Sequence, residues 1–411
     1  MDLQHNMLKQ ILNKVPEVTL YFWIIKILGT TIGETAADFL NVNLNLGLSG
    51  TSVVTGILLV IALFFQFRSK KYTPSIYWTS VVLISVFGTL VTDNLTDKFG
   101  IPLQVSTLIF TVLLALTFAI WYLKEKTLSI HSIFTRRREA FYWLTILFAF
   151  ALGTASGDLM AEGLGLGYLL TGIIVAVTIA AISLAWKLRL NSILSFWLIY
   201  ILTRPLGVSI GDLLSQPHKY GGLGLGATIT SLIFLIAILV LVVFLTITKK
   251  DVTTEETIRK NEQQIPERGH VISQVVVTLL LFAVLSGGGY YFRQKSLAPE
   301  AVSSASHVNG TATSTATTSP LGDVSNLKTI VSDTLNFVIK NDIAGANNRV
   351  NDLEHEWDTS QSRLRPVNPA KWTEVDGKID KVLRELRATS PNAASSKTAL
   401  EALLTSLSSS N

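Results

Sequence analysis

A glycine followed five residues later by a carboxylate occurs four times in this chain, each time within a long apolar segment, and no other feature constrains the fold as strongly. The copies read Gly29-Thr30-Thr31-Ile32-Gly33-Glu34, Gly88-Thr89-Leu90-Val91-Thr92-Asp93, Gly153-Thr154-Ala155-Ser156-Gly157-Asp158 and Gly207-Val208-Ser209-Ile210-Gly211-Asp212. A second acid follows four residues on in three copies, as Asp38, Asp97 and Glu162, and the fourth has Gln216 there. That spacing is one further helical turn on the same face. An aromatic-Trp pair precedes each glycine: Tyr77-Trp78, Tyr142-Trp143 and Phe196-Trp197 with the Trp ten residues ahead, and Phe22-Trp23 with the Trp only six ahead. Repetition roughly every 55 to 65 residues makes the architecture a multiple of one unit.

The setting of the motif is a membrane. The chain has 411 residues, 49% hydrophobic and 15% charged, and its mean hydropathy of +0.44 is too high for a soluble protein of this size. The formal charge of +5 comes mostly from short basic loops, so it speaks to membrane orientation and not to nucleic acid. Cysteine is absent, which removes disulfides and thiolate chemistry.

A span needs about 20 apolar residues. Nine segments meet that length, near 19–40, 51–67, 76–96, 103–123, 141–161, 167–187, 193–214, 224–246 and 271–292. The expected fold is all-α: a polytopic membrane protein of about nine helices, with four hairpins over 19–246. Each hairpin has an outgoing helix carrying the motif, a Gly-rich turn and a plainer return helix. Lys and Arg collect after the even helices, as Arg68, Lys70 and Lys71, Lys124 and Arg136 to Arg138, Lys187 and Arg189, and Lys249 and Lys250, while the odd-side loops hold only Lys98 and Lys219. The positive-inside rule then puts the N-terminal segment 1–18 and the loop 247–270 in the cytoplasm, and the motif-side turns and the C-terminal tail outside.

The tail has its own organisation. Residues 293–322 are rich in Ser, Thr, Ala and Gly, and read as a flexible linker. From 323 to 408, apolar residues recur near helical spacing, with breaks at Gly345, at Pro366 to Pro369 and at Pro391. A small extracytoplasmic bundle of four helices is expected, with Trp357 and Trp372 in its core.

An ionised carboxylate at the bilayer centre costs about 2.5 to 3.5 kcal/mol even on lenient insertion scales, and such groups face a bundle interior or a water-filled cavity. Hairpins that all start on one side are parallel repeats, which set equivalent residues at one depth. The expected inner layer is Glu34, Asp93, Asp158 and Asp212, with Asp38, Asp97 and Glu162 about 6 Å further out. Two basic residues enter the spans, Lys26 and Arg204, each three residues before its motif glycine. They are the charge partners, and Lys26, too far from Glu34 along its own helix, is expected to pair across helices. Two cations cannot neutralise seven acids, so the rest hold protons, bind a metal ion or are hydrated. The glycines Gly29, Gly33, Gly88, Gly153, Gly157, Gly207 and Gly211 suit close helix approach. The motif acids then either serve a cation or proton pathway, or are bonded structurally to Thr30, Thr31, Thr89, Thr92 and Thr154. His5, His131, His218, His270, His307 and His355 all fall outside the spans, so no imidazole metal site is expected in the membrane. Pro205, directly after Arg204, would kink or unwind its helix.

The stretch Trp23 to Asp38, Gly153-Thr154 with Gly157-Asp158, and Thr203-Arg204-Pro205-Leu206-Gly207 with Asp212 resemble the prokaryotic membrane-anchored proteins built from four copies of a repeat of unknown function. The resemblance covers about residues 20–246 and implies an integral inner-membrane protein. Thr92 departs from it, standing where the other copies have glycine. The resemblance implies no activity.

The residues themselves point to a secondary transporter or ion-conducting protein whose carboxylate layers bind a cation, with proton coupling. Hard divalent cations such as Mn²⁺ or Mg²⁺ suit carboxylate and hydroxyl oxygens. The alternative is a non-enzymatic anchor or sensor presenting the external bundle. No cofactor is expected, no nucleophile or phosphate-binding pattern suggests an enzyme, and four repeated acids differ from the single dyad of an intramembrane aspartyl protease. The lipid bilayer is the one partner the sequence identifies.

Overall fold

The computed structural model describes residues 13–40, 47–99, 101–164, 166–215, 222–252, 319–364, 367–388 and 390–408. It is all-helical, with no strand among the described residues. Eight helices build the membrane domain: α1 (Leu20–Asp38), α2 (Gly47–Arg68), α3 (Pro74–Asp93), α4 (Leu103–Glu125), α5 (Arg136–Asp158), α6 (Gly167–Lys187), α7 (Ser192–Ser215) and α8 (Gly226–Thr248). Local chemistry marks their starts. Thr19 and Thr135 cap α1 and α5 by accepting from Phe22 N and Arg138 N, and Pro74 opens α3. Gly47, Gly167, Gly224 and Gly226 adopt positive φ at the motif-side turns, where a side chain would be strained.

The motif helices α1, α3, α5 and α7 form a closed inner ring, each packed on the next and α7 on α1. The plainer helices lie outside. They do not pack as self-contained hairpins: α2 packs on α3, α4 on α5, α6 on α7, and α8 closes the circle on α1. Each outer helix therefore staples its own repeat to the following one, so no repeat stands alone.

Helices α2 to α8 are long and apolar enough to cross a membrane. The outer four turn residues such as Val60, Leu108, Val177 and Val240 outward, each more than 60% exposed. An apolar surface of that extent is stable only against hydrocarbon. At 19 residues, α1 is about 28 Å long; it carries Lys26 and Glu34 and sits in the ring among the others. The domain is a multi-pass membrane protein. The expected ninth span at 271–292, the loop beyond residue 252 and the linker up to residue 318 lie outside the described residues.

Two interlocking contacts fix the register of the ring. The aromatic-Trp pairs touch in sequence around it: Phe22 to Trp78 at 5.6 Å, Tyr77 to Trp143 at 5.5 Å, Tyr142 to Trp197 at 6.2 Å and Phe196 back to Trp23 at 5.7 Å between ring centroids. The glycines do the same one level up. A Cβ on Gly33 would collide with Ser85, one on Gly153 with Arg204 and one on Gly207 with Thr30, while one on Gly88 would come within 3.0 Å of Phe150 Cβ. Each glycine thus admits the residue three before the next copy's glycine, and the circle closes.

This geometry corrects the first copy by one helical turn. Gly33, not Gly29, is the counterpart of Gly88, Gly153 and Gly207, and Trp23 is then ten residues ahead like the others. Gly29 makes only ordinary contact, 3.8 Å from Val82 to a Cβ built there. The second small position of each helix is Ala37, Thr92, Gly157 and Gly211. Helix α7 runs unbroken through Pro205, whose ring fills the space above Gly153 and Gly157.

The end of the ring opposite the motif turns is closed by Asn13 to Glu17, which are buried. Their backbone ties two inter-repeat connections and the segment after α8 together, Lys14 N to Ile133 O (2.9 Å), Tyr72 N to Asn13 O (3.1 Å) and Glu17 N to Asp251 O (2.9 Å). Lys14 Nζ also pairs with buried Glu139 at 2.6 Å.

Four helices of the tail pack together: α9 (Ser325–Ile339), α10 (Ile343–Leu364), α11 (Pro369–Arg387) and α12 (Ala393–Ser408). Trp357 and Trp372 stack at 3.5 Å in their core, and Trp357 Nε1 donates to Asp376 at 2.7 Å. The first break falls before Gly345, at Asn341 with φ 59°, because Asp342 caps α10 by accepting from Gly345 N. Helices α10 and α11 rest on the motif-side end of the ring.

The glycine circle yields a stability test. Gly33→Ala, Gly153→Ala and Gly207→Ala each overpack a helix crossing and should cost about 1–3 kcal/mol. Gly29→Ala should be neutral or stabilising by up to about 1 kcal/mol from helix propensity. Thermal unfolding in detergent, followed by size exclusion, reads both; equal effects at Gly29 and Gly33 would refute the register.

Candidate functional site

With the register set, the ring resolves into layers one turn, about 6 Å, apart. Three residues before the common glycine stand Thr30, Ser85, Phe150 and Arg204; one residue after it, Glu34, Thr89, Thr154 and Val208; five after it, Asp38, Asp93, Asp158 and Asp212.

Arg204 joins the first two layers. It is fully buried, and its guanidinium reaches every other helix of the ring, which puts it on the central axis. Nη2 meets Glu34 Oε2 at 2.8 Å. Nε and Nη2 donate to Thr154 Oγ1 at 3.0 and 2.9 Å, and Nη1 donates to Ser85 Oγ at 3.4 Å. Nη2 also donates to Thr89 Oγ1, and Nη1 to the Thr30 carbonyl. Planar five-donor geometry suits one residue to four helices in a way that an ammonium could not match. One fixed cation on the axis opposes passage of another while the pair is closed.

Lys26 behaves differently from expectation. Its side chain is fully buried, and its Nζ has no hydrogen-bond partner. It lies 3.8 Å from the Phe150 ring centroid and 4.1 Å from that of Tyr200. Lys26 stands eight residues before Glu34, and at that depth its neighbours across the ring are aromatic faces. A desolvated cation–π contact is worth about 2 kcal/mol.

Among the acids, the inner layer loses Glu34 to the ion pair and gains Asp38. The repeat-equivalent carboxylates are Asp38, Asp93, Asp158 and Asp212, one per copy, about 6 Å beyond Glu34. Asp212 is buried, Asp93 and Asp158 are half-buried, and Asp38 is exposed. Asp97 and Glu162 fall one turn further, where α3 and α5 continue into π-helical turns, Asn94–Lys98 and Leu159–Gly163. Such turns recur at functional sites. Among the described residues no three His, Asp or Glu side chains converge as a metal ion would require. Most motif threonines bond backbone carbonyls, Thr92 to Ala151 O at 3.1 Å and Thr30 to Thr203 O at 3.1 Å for instance. Thr89 and Thr154 also donate to carbonyls, those of Ser85 and Phe150, and in addition accept from Arg204.

Sequence reasoning missed the tyrosines. Tyr77 and Tyr142 oxygens meet at 2.5 Å, and Tyr72 donates to Asp251 Oδ2 at 2.5 Å near the buried N-terminal segment. The aromatic-Trp pairing held the signal for the first two, since each pair points one ring inward.

Removing the hub should be costly. Arg204→Met strands the Glu34 carboxylate and the Thr30 carbonyl, and is expected to destabilise by about 3–5 kcal/mol. Adding Glu34→Gln should recover part of the loss, and a double-mutant cycle on unfolding in detergent measures the coupling. Additive single effects would show that the pair carries no coupling.

The family model described as Repeat of Unknown Function (DUF347) matches four times, over residues 21–72, 76–127, 141–190 and 195–251. Nothing among curated proteins or solved structures matches the chain. Each matched copy spans one inner and one outer helix. Gly33, Gly88, Gly153 and Gly207 each fall twelve residues after the first matched residue of their copy, which is the register the glycine and aromatic circles require. The chain belongs to the DUF347 family, with four copies of the repeat closed into one ring.

Proposed function

We propose that the four-repeat domain is a secondary transporter for a cation, coupled to protons. The observation that carries this reading is one aspartate per repeat at a common level, directly beyond an axial Arg204–Glu34 pair. The four carboxylates gather positive charge at the motif-side mouth. A cation or proton arriving there competes with Arg204 for Glu34. Once the pair is weakened, the guanidinium and the incoming charge repel, and the guanidinium must leave the axis for the path to open. A closed pair suits alternating access better than an open pore. Carboxylate and hydroxyl oxygens favour hard cations, with Mn²⁺ and Mg²⁺ as the probes of choice. In this reading the protein is not an enzyme. The basic loops after α2, α4, α6 and α8 support a bacterial inner-membrane orientation with those loops in the cytoplasm and the aspartates outside.

Proteoliposomes carrying an internal divalent-ion dye give the test. Asp158→Asn and Asp212→Asn are expected to lower Mn²⁺ flux at least tenfold while the protein stays folded. Unchanged flux in both would sink the transporter reading.

One observation favours a second reading, a non-enzymatic anchor or sensor. Helix α10 packs on the π-turn Leu159–Gly163, α11 packs on Asn94–Lys98, and Arg384 lies beside Gly47. The bundle thus sits on the segments that follow the aspartates, where it could report on them to an outside partner. In cells, deletion of residues 296–411 should abolish the phenotype of a sensor even where the aspartate variants leave it intact. The reverse pattern favours transport.

A further inference from the structure

The side of the Arg204–Glu34 pair away from the aspartates holds a second polar file. Lys26 and Tyr200 occupy the layer seven residues before the common glycine, and Tyr77 and Tyr142 the layer eleven before it. Tyr72 and Asp251 follow in the loops at the closed end. Lys26 Nζ and Tyr200 Oη are both buried with no hydrogen-bond partner. Buried polar atoms left open in this way point to water, an ion or a chemical role. Below them Tyr77 and Tyr142 oxygens lie 2.5 Å apart, one hydroxyl donating to the other. The Tyr72 ring lies 5.5 Å from that of Tyr77, and its hydroxyl is 2.5 Å from Asp251.

We propose that Lys26 is a proton-carrying group of the transport cycle and that Tyr200, Tyr142, Tyr77 and Tyr72 connect it to Asp251 at the basic-loop end. This rests on the transporter reading and names its coupling ion and route. In the step itself the Lys26 ammonium loses one proton to the tyrosine file, becoming an amine. The file delivers one proton to the Asp251 carboxylate for release at the basic-loop end, and the Lys26 amine takes its next proton from the aspartate side when the Arg204–Glu34 pair opens. The titratable groups around Lys26 are Arg204 and Tyr200 on α7, Tyr142 on α5, Tyr77 on α3 and Glu34 on α1 itself; α8, also packed on α1, has no titratable residue over Gly226–Thr248. At the far end burial pushes the Asp251 carboxyl above the ordinary carboxylate range, despite the hydrogen bond from Tyr72. It therefore holds a proton at higher pH than an exposed aspartate. The pairs Lys14–Glu139 and Glu17–His131, at 2.6 and 3.6 Å, stand at the same end.

The competing account is a structural staple, in which the Lys26 ammonium merely binds Phe150 and Tyr200. Arginine separates the two, because it keeps the cation–π contact and does not deprotonate. Full-length protein in proteoliposomes with a pH dye and a Mn²⁺ dye is expected to lose proton movement at least tenfold in Lys26→Arg as well as Lys26→Met. Tyr142→Phe and Tyr77→Phe, which remove only a hydroxyl, should slow it comparably with little change in melting temperature. Full rescue by Lys26→Arg, or unaltered proton movement in both tyrosine variants, overturns the relay. Mn²⁺ flux that proceeds in the wild type without any proton movement overturns the relay and leaves the transporter standing. Mn²⁺ flux unaffected by Asp158→Asn and Asp212→Asn removes the transporter reading and the relay with it.

Discussion

One guanidinium holds the ring together. Arg204 bonds to α1 through Glu34 and Thr30, to α3 through Ser85 and Thr89, and to α5 through Thr154, from its own place on α7. In hydrocarbon no hydrophobic force drives helices together, so association rests on close packing and on polar bonds of this kind. The glycine circle makes the hub possible. Gly153 has no side chain, and the stem of Arg204 passes where one would be. The same small-residue contact repeats at the other three crossings, and the aromatic circle a few turns away braces them against sliding.

The offset packing of the outer helices follows from the same constraint. An inner helix whose flanks are used by two neighbouring inner helices has its outer face left to cover. The helix that covers it comes from the preceding repeat, with α8 serving α1. Each repeat is thereby shared between two positions of the ring, and four copies are the number that closes it.

Much of this was legible in the chain before the fold. Apolar length identified the helices, the even-odd charge bias gave parallel repeats, and the repeated glycine and acid marked the inner four. The first copy misled by one turn, because Gly29 and Glu34 satisfy the motif locally as well as Gly33 and Asp38 do. The shortened interval from Trp23 to Gly29 was the available warning, and only contacts across the ring decide between the two settings. The Lys26 environment was not legible, since a cation in a membrane sequence suggests a carboxylate and nothing local distinguishes an aromatic face. Nor could composition reveal that Asn13 to Glu17 are buried; that depends on three loops, distant in sequence, converging at one end.

The repeats differ from one another in a way that separates scaffold from function. The inward aromatic with its Trp, the common glycine and the aspartate five residues beyond it occur in all four copies. These are the levels that close the circle and line its mouth, where fourfold likeness is harmless. The levels between them do not repeat: Lys26, Val81, Ile146 and Tyr200 in one, Thr30, Ser85, Phe150 and Arg204 in the next, Glu34, Thr89, Thr154 and Val208 in the third. They cannot repeat, because four arginines converging on one axis would repel one another with no carboxylates to match. A single Arg204 with a single Glu34 satisfies the axis, while the second cation, Lys26, is kept one turn lower against aromatic rings. Divergence among otherwise similar copies is therefore concentrated where charge must be handled one unit at a time, which is also where a transported charge would have to pass.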